Sequence, residues 1–227
     1  REAERATAVD YLRQLNLPGL EYQVGKTLES WKCHARERIV TIQKEARKPR
    51  ALEIGSALGF MASIFRAEGW EVEGREMWPA WRDFADRYLQ VPSSGELLQG
   101  EGSPYYDLIY CTQVIEHVAD FIPFLSTMRS RLLPNGMLYV STTNANVVTR
   151  PPPNSEGIVD LTRKGHHDVG TDIFDNPLHI NHWSRESLHA AAIAVGFDDN
   201  DVYTLVRGEH EWELAMFAIK GSLNHLV

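Results

Sequence analysis

Two glutamates and two glycines stand where a nucleoside-binding cleft needs them. Glu53, Gly55 and Gly59 belong to the run Arg50-Ala51-Leu52-Glu53-Ile54-Gly55-Ser56-Ala57-Leu58-Gly59-Phe60-Met61-Ala62, an apolar strand that turns through glycines into a helix. Glycines in such a turn let the backbone approach a ligand closely, and free amides at a helix start can meet a carboxylate. The dinucleotide fingerprint G-x-G-x-x-G is not met, because positions 55, 57 and 60 are Gly, Ala and Phe, which disfavours a pyrophosphate. Glu53 would repel a pyrophosphate and attract a cation. Glu76 closes the next apolar run, where an acid can accept hydrogen bonds from both ribose hydroxyls. The chemistry these positions share is the holding of a cationic nucleoside, and the ammonium and sulfonium of S-adenosylmethionine suit it. A turn that binds nothing and a solvated Glu76 are the plainer alternatives.

The elements that must position these residues alternate in type. Residues 3–16 carry Ala8, Tyr11, Leu12 and Leu15 at helical spacing, and 25–46 carry Leu28, Trp31, Ala35, Ile39 and Ile42, so two amphipathic helices are predicted first. Short apolar runs then read as strands at 51–54, 71–76, 96–99, 107–111 and 136–141, with helical patterns between most of them. This alternation predicts an α/β fold: a Rossmann-like seven-stranded, mostly parallel sheet with helices on both faces, an antiparallel final strand and an N-terminal helical extension. Ligands of such sheets bind outside the carboxyl ends of the strands. A helix over 184–194 takes Ser184 as N-cap and Gly196 as stop. The runs 202–206 and 214–219 then form a closing antiparallel pair. The chain reads as a single domain: a helical cap over 1–48, a cofactor-binding core over 49–142, a substrate or lid loop over 143–182, and a C-terminal helix with closing strands over 183–227.

Composition narrows the partners. With 227 residues, 43% of them apolar, and a net charge of −8, the chain can bury a large core and lacks the basic excess that phosphate backbones demand. A small-molecule substrate is therefore expected and nucleic acid is not. Arg36, Arg38, Lys44, Arg47, Lys48 and Arg50 read as a solvated helix face. Two unpatterned cysteines, Cys33 and Cys111, suit a reducing compartment. No apolar run reaches bilayer length and the first residues are polar, so the expectation is a cytoplasmic protein without a membrane segment. Oligomeric state stays open.

The turn above, Val72-Glu73-Gly74-Arg75-Glu76-Met77, Leu98-Gln99-Gly100-Glu101, Tyr106-Asp107-Leu108-Ile109-Tyr110-Cys111-Thr112-Gln113-Val114-Ile115-Glu116-His117-Val118 and Leu133-Pro134-Asn135-Gly136-Met137-Leu138-Tyr139-Val140-Ser141-Thr142-Thr143-Asn144 resemble the successive motifs of class I S-adenosylmethionine-dependent methyltransferases. Within them the chain is most similar to the ubiquinone-biosynthesis O-methyltransferase-like branch, from about residue 50 to residue 200. The resemblance implies that Glu53, Gly55, Ser56, Ala57 and Gly59 surround the methionine moiety. It places Glu76 on the ribose, Glu101 near the adenine amino group and Gln113 at the methyl-transfer pocket, with Met77 and Thr112 as further cofactor contacts. Ala57 replaces the usual middle glycine, and Gln113 stands where the branch often has Glu.

Methyl transfer is an in-line displacement that needs alignment and, for a hydroxyl acceptor, removal of a proton, for which histidine is suited near neutral pH. His117, after the fourth strand, and His182, before the 184–194 helix, are the candidate bases, with a structural cap as the alternative for His117. The segment from Asn176 to Leu188 is similar to the branch's H-x-x-H-(F/W)-(S/T)-x-x-S-L element, so His179 joins His117, His182 and Arg150 as candidate acceptor contacts. Arg150 would pair with a carboxylate or phosphate, or simply sit on the surface. Trp78 and Trp81 are candidates for the adenine face, and Tyr22 and Trp31 for the acceptor pocket, with core burial preferred for Trp31. No metal is assigned. Glu116, His117, His179 and His182 would hold one in the alternative of metal-dependent RNA 2′-O-methylation, but the neutral Gln113 weakens that set. His166, His167, Asp168, Asp172 and Asp175 match no ligand spacing and read as part of a polar lid. A catalytically silent scaffold is the remaining alternative.

Overall fold

The computed structural model describes residues 19–96, 105–145, 178–207 and 213–221. Seven strands form one sheet in the order β3-β2-β1-β4-β5-β7-β6. They are β1 (Arg50–Ile54), β2 (Glu71–Arg75), β3 (Ser93–Ser94), β4 (Tyr106–Thr112), β5 (Leu132–Thr143), β6 (Val202–Arg207) and β7 (Glu213–Ile219). All neighbouring pairs from β3 to β5 are parallel, whereas β7 is antiparallel to both β5 and β6. The one reversed strand is thus the final one, as the sequence predicts, and it enters between β5 and β6.

Helices cover both faces because the central strands are apolar on both. Ala51, Val72, Leu108, Tyr110, Tyr139 and Phe217 pack on one side with Trp31 and Phe65. Leu52, Ile109, Cys111, Leu138 and Val140 pack on the other with Leu125, Met128 and Leu188. The helices are α1 (19–34), α2 (Arg36–Lys44), α3 (Phe60–Ala67), α4 (Pro79–Leu89), α5 (Phe121–Arg131) and α6 (Arg185–Ala194). Ser184 caps α6 through a reciprocal bond pair with Ser187, and Gly196 follows its end at φ +95°, so this helix stands where its end signals place it. Pro79 sits in the first turn of α4, where its missing N–H costs nothing.

Four expectations change. The predicted 25–46 helix begins by residue 19 and divides at Ala35, whose backbone leaves the helical region at φ −99°, ψ 35°. Hydrogen bonds Ala35 N→Trp31 O and Ile39 N→Ala35 O still carry the chain across, so the buried face of Leu28, Trp31, Ala35 and Ile42 stays continuous. The third strand is Ser93–Ser94; Glu96 lies outside it and 97–99 lie outside the described residues. β5 starts four residues early and absorbs the Pro134-Asn135-Gly136 turn as an irregularity opposite Tyr106 and Leu108. The basic run is a solvated face only in part: Arg36, Lys44 and Lys48 are exposed, whereas Arg38 is buried with its Nε donating to Asp107 at 2.5 Å, and Arg47 donates to both Asp107 oxygens at 2.7 and 2.8 Å. The predicted 3–16 helix lies outside the described residues.

Candidate functional site

The carboxyl ends of β1, β2 and β4 meet beside the start of α3, and the turn from Gly55 to Gly59 lies between them. Gly55 has φ +70°, and a Cβ there would fall 2.5 Å from Val114 Cγ2; Gly59 has φ +80°, with Ala85 Cβ at 2.9 Å from such an atom. Both positions need glycine, for conformation and for space. Ala57 carries φ +46° with a side chain, a left-handed conformation that costs about 1 kcal/mol or more. A cavity of about 280 Å³ opens here, lined by Glu53, Gly55, Ser56, Ala57, Phe60, Met61 and Thr112, with Leu20 and Gln23 of α1 contributing as well. A larger cavity of about 420 Å³ lies at the amino ends of the strands, among Arg50, Arg66, Trp70 and Tyr105. Ligands of parallel sheets gather at the carboxyl ends, where the strand-to-helix turns present their amides, so the smaller cavity is the candidate site.

Glu53 is the chemically unusual group in it. Its side chain is 5% exposed, and its Oε2 accepts from Ala62 N at 3.1 Å and Tyr110 Oη at 3.2 Å. Burial pushes its carboxyl up to about 8 despite those two bonds, and the charge of Glu76 adds to the rise. Among the described residues its partners are this one helix amide and this one phenol. Glu76 is also buried, with Oε2 accepting from Ala57 N and Oε1 from Trp78 N, each at 2.9 Å. Each oxygen keeps capacity for a further donor, as two ribose hydroxyls require. Arg82 braces this corner through bonds to the Glu76 and Met77 carbonyls at 2.7 and 2.8 Å. Met77, Trp78 and Trp81 are exposed at its rim.

Other sequence candidates fall in different places. Ser56 lines the cavity, but its hydroxyl turns away from it, against Gly74 and 3.4 Å from Ser93 Oγ. Thr112 lines the cavity and its Oγ1 is buried without a partner. Gln113 ends β4 at φ +55°, with Oε1 accepting from Thr143 Oγ1 at 3.1 Å. Trp31 is core, edge-on to Trp70, while Tyr22 is exposed. Glu101, Arg150, His166, His167, Asp168, Asp172 and Asp175 lie outside the described residues.

The histidines gather by a backbone staple. A 3-10 turn, Ile115–His117, follows β4; the Glu116 carbonyl accepts from Ile180 N and Asn181 N, and Asn181 Nδ2 donates to Val118 O. His117 Nδ1 meets Leu178 O at 2.8 Å. A carbonyl can only accept, so Nδ1 carries a proton, and in the neutral ring Nε2 is then the acceptor. The His117 and His179 rings stand 4.8 Å apart, and Glu116, His117 and His179 offer atoms within 4.8 Å of one another. Glu116 is buried: Oε2 accepts from Thr142 Oγ1 at 2.8 Å, and Oε1 has no partner. His182 is exposed and is not a member of this cluster. Sequence reasoning missed Tyr110, Thr142, Leu20 and Gln23; the two polar residues inside apolar strands were the available signal.

A methyltransferase-domain family model matches residues 26–202. Among curated proteins, the ubiquinone biosynthesis O-methyltransferase of Histophilus somni is 28% identical over 171 residues, covering 66% of this chain and 69% of that one. An S-adenosylmethionine-dependent methyltransferase structure from Mesorhizobium loti superposes with a TM-score of 0.56 at 16% identity, covering 75% of this chain and 90% of that one. The Haemonchus contortus phosphoethanolamine N-methyltransferase 2 complex with S-adenosyl-L-methionine gives 0.58 at 12% identity, with 77% of this chain covering 49% of the other. Among the described residues no helix is long and apolar enough to cross a membrane.

Proposed function

Since the chain belongs to the methyltransferase-domain family and is an S-adenosylmethionine-dependent methyltransferase, we propose that it methylates a hydroxyl of a small molecule. The cofactor site proposed is the cleft between Glu53 and Glu76, and the observation that carries it is the buried Glu53 carboxyl, pushed up to about 8 by its burial. S-adenosylmethionine supplies a methyl group on a sulfonium and an ammonium for that acid. Glu53 and the amides of the Gly55–Gly59 turn hold the amino-acid end. Glu76 receives the ribose hydroxyls, and Thr112 and Gln113 flank the transfer position. His117, with Nε2 free to accept, takes the acceptor's proton; His182, exposed, supports the loop. The substrate or lid loop remains the reading for 143–182, of which 146–177 lie outside the described residues.

The hydroxyl as nucleophile rests on the naming of the ubiquinone biosynthesis relative and on the histidine. Free Cys33 and Cys111 fit a reducing, cytoplasmic setting. The test is transfer of labelled methyl to phenolic and sugar acceptors and to short RNA. Label in an ether product of a small acceptor is expected; label in RNA alone would replace the reading.

A second reading has its own support. The orphaned Glu116 Oε1 beside His117 and His179 is a mixed carboxylate and imidazole set suited to a divalent cation. Such an ion would polarise the acceptor oxygen and lower its pKa, and His117 would then act as ligand instead of base.

A further inference from the structure

Glu213 opens β7, in a strand whose seven residues are all buried. Because β7 runs against the parallel strands, its first residue lies at their carboxyl ends, level with Thr143 of β5. Side chains alternate along strands, so Glu213, Ala215 and Phe217 share the face of Ser141 and Tyr139. Tyr139 and Phe217 indeed pack at 5.0 Å on that face. Thr112 is level with Ser141 and is two residues from Tyr110, whose hydroxyl reaches Glu53 on this same face. One polar strip therefore leaves the cofactor cleft at Thr112, crosses Ser141 and ends at Glu213, three strand spacings across the sheet from Glu53 and four residues further along it, roughly 20 Å away.

Three oxygens along this strip, Thr112 Oγ1, Ser141 Oγ and Glu213 Oε1, are buried with no hydrogen-bond partner among the described residues. Glu213 as a whole is only 5% exposed. Each such group costs the fold the hydration it has lost, and these three lie on one face of three neighbouring strands. An ionised carboxylate only accepts, and the hydroxyls can rotate to accept as well. The Glu213 carboxylate thus lacks a donor, while each hydroxyl is left with both a proton and lone pairs unused.

We propose that Thr112, Ser141 and Glu213 form the floor of the acceptor site and bind a donor group of the acceptor, a hydroxyl or an ammonium. This rests on the methyltransferase reading and extends it to the acceptor's chemistry. Acceptors carrying a second donor fit, and those carrying a carboxylate or phosphate at that point are repelled by Glu213.

The test uses the full chain with S-adenosylhomocysteine bound, titrated with catechol and dopamine against phenol and 4-hydroxybenzoate. Dopamine alone among binders names the ammonium; both catechols together name the hydroxyl. Wild type is expected to favour the first pair, and Glu213→Gln to weaken them roughly 10- to 100-fold in KM or Kd, with kcat much less affected. Preference for 4-hydroxybenzoate, or no change in Glu213→Gln, overturns the proposal. If none of the four binds, thermal unfolding decides. Tm unchanged or raised in Glu213→Gln and Ser141→Ala supports a ligand role. A Tm several degrees lower in both Glu213→Gln and Arg207→Gln, its register partner in β6, assigns Glu213 to the fold and overturns it. S-adenosylhomocysteine affinity, measured on each variant, stays at wild-type level. Its absence in wild type would instead sink the cofactor reading.

Discussion

Asp107 and Glu53 are buried acids at opposite ends of adjacent strands, and they are treated in opposite ways. Asp107, at the amino end of β4, is fully buried and receives Arg38, both arms of Arg47 and the Arg50 amide. Burial alone would raise its carboxyl, but the Arg47 bond, the Arg50 N–H and the two guanidinium charges together hold it below its ordinary value. Glu53, at the carboxyl end of β1, receives one amide and one phenol and is pushed up to about 8. One end of the sheet is complete in the chain alone. The other holds a perturbed acid in a cleft, the place where the proposed cofactor would supply the missing charge.

The largest effect should come from breaking the complete end. Asp107→Asn leaves Arg38 buried without its anion and is expected to cost about 3–5 kcal/mol, read by urea unfolding, while the folded fraction still binds S-adenosylmethionine. Wild-type Asp107 contributes its stability above its ordinary 3.8 and loses it as pH falls through its lowered folded value. Acid unfolding of the wild type should therefore be steeper than that of Asp107→Asn.

Next in size is the open end. Glu76→Ala should weaken S-adenosylmethionine roughly 10- to 100-fold with little change in Tm, and unchanged affinity by calorimetry would remove Glu76 from the site. Glu53 sharpens the contrast through pH. The fold tolerates its protonated form, so below its ordinary 4.5 its burial costs least. As pH rises from 4.5 towards 8 the unfolded chain ionises first, and the ligand-free protein loses stability. Glu53→Gln should flatten that decline, and equal slopes in chemical denaturation would show that Glu53 does not cause it. The smallest effect is at Ala57: Ala57→Gly should relieve its left-handed backbone and stabilise by about 1 kcal/mol or less, with cofactor affinity retained.

The same contrast explains what the amino-acid sequence reveals. The places of Glu53 and Glu76 are legible because each lies at the end of a short apolar run that reads as a strand, and a glycine turn joins the first of these strands to a helix. Asp107 with Arg38 is not, because 69 residues separate them and a basic helix face looks the same whether solvated or docked. The histidine cluster depends on the staple between the Glu116 carbonyl and residues 180–181, which no local pattern announces; His179, not His182, stands beside His117 as a result. Ser93–Ser94 is too short and polar to read as a strand, its place being set by pairing with Gly74 and Arg75. Glu213 escaped because an acid at the head of an apolar run reads as its boundary, whereas the structure counts it as the strand's first buried residue.

The most direct test is proton release when S-adenosylmethionine binds, measured by calorimetry near pH 7 in buffers of different ionisation enthalpy. A cation placed beside Glu53 must draw its carboxyl down from about 8, so wild type should release close to one proton per bound cofactor and Glu53→Gln none. Binding without proton release in the wild type, or equal release in both proteins, would contradict Glu53 as the cation's partner and with it the division of the sheet into a finished end and an open one.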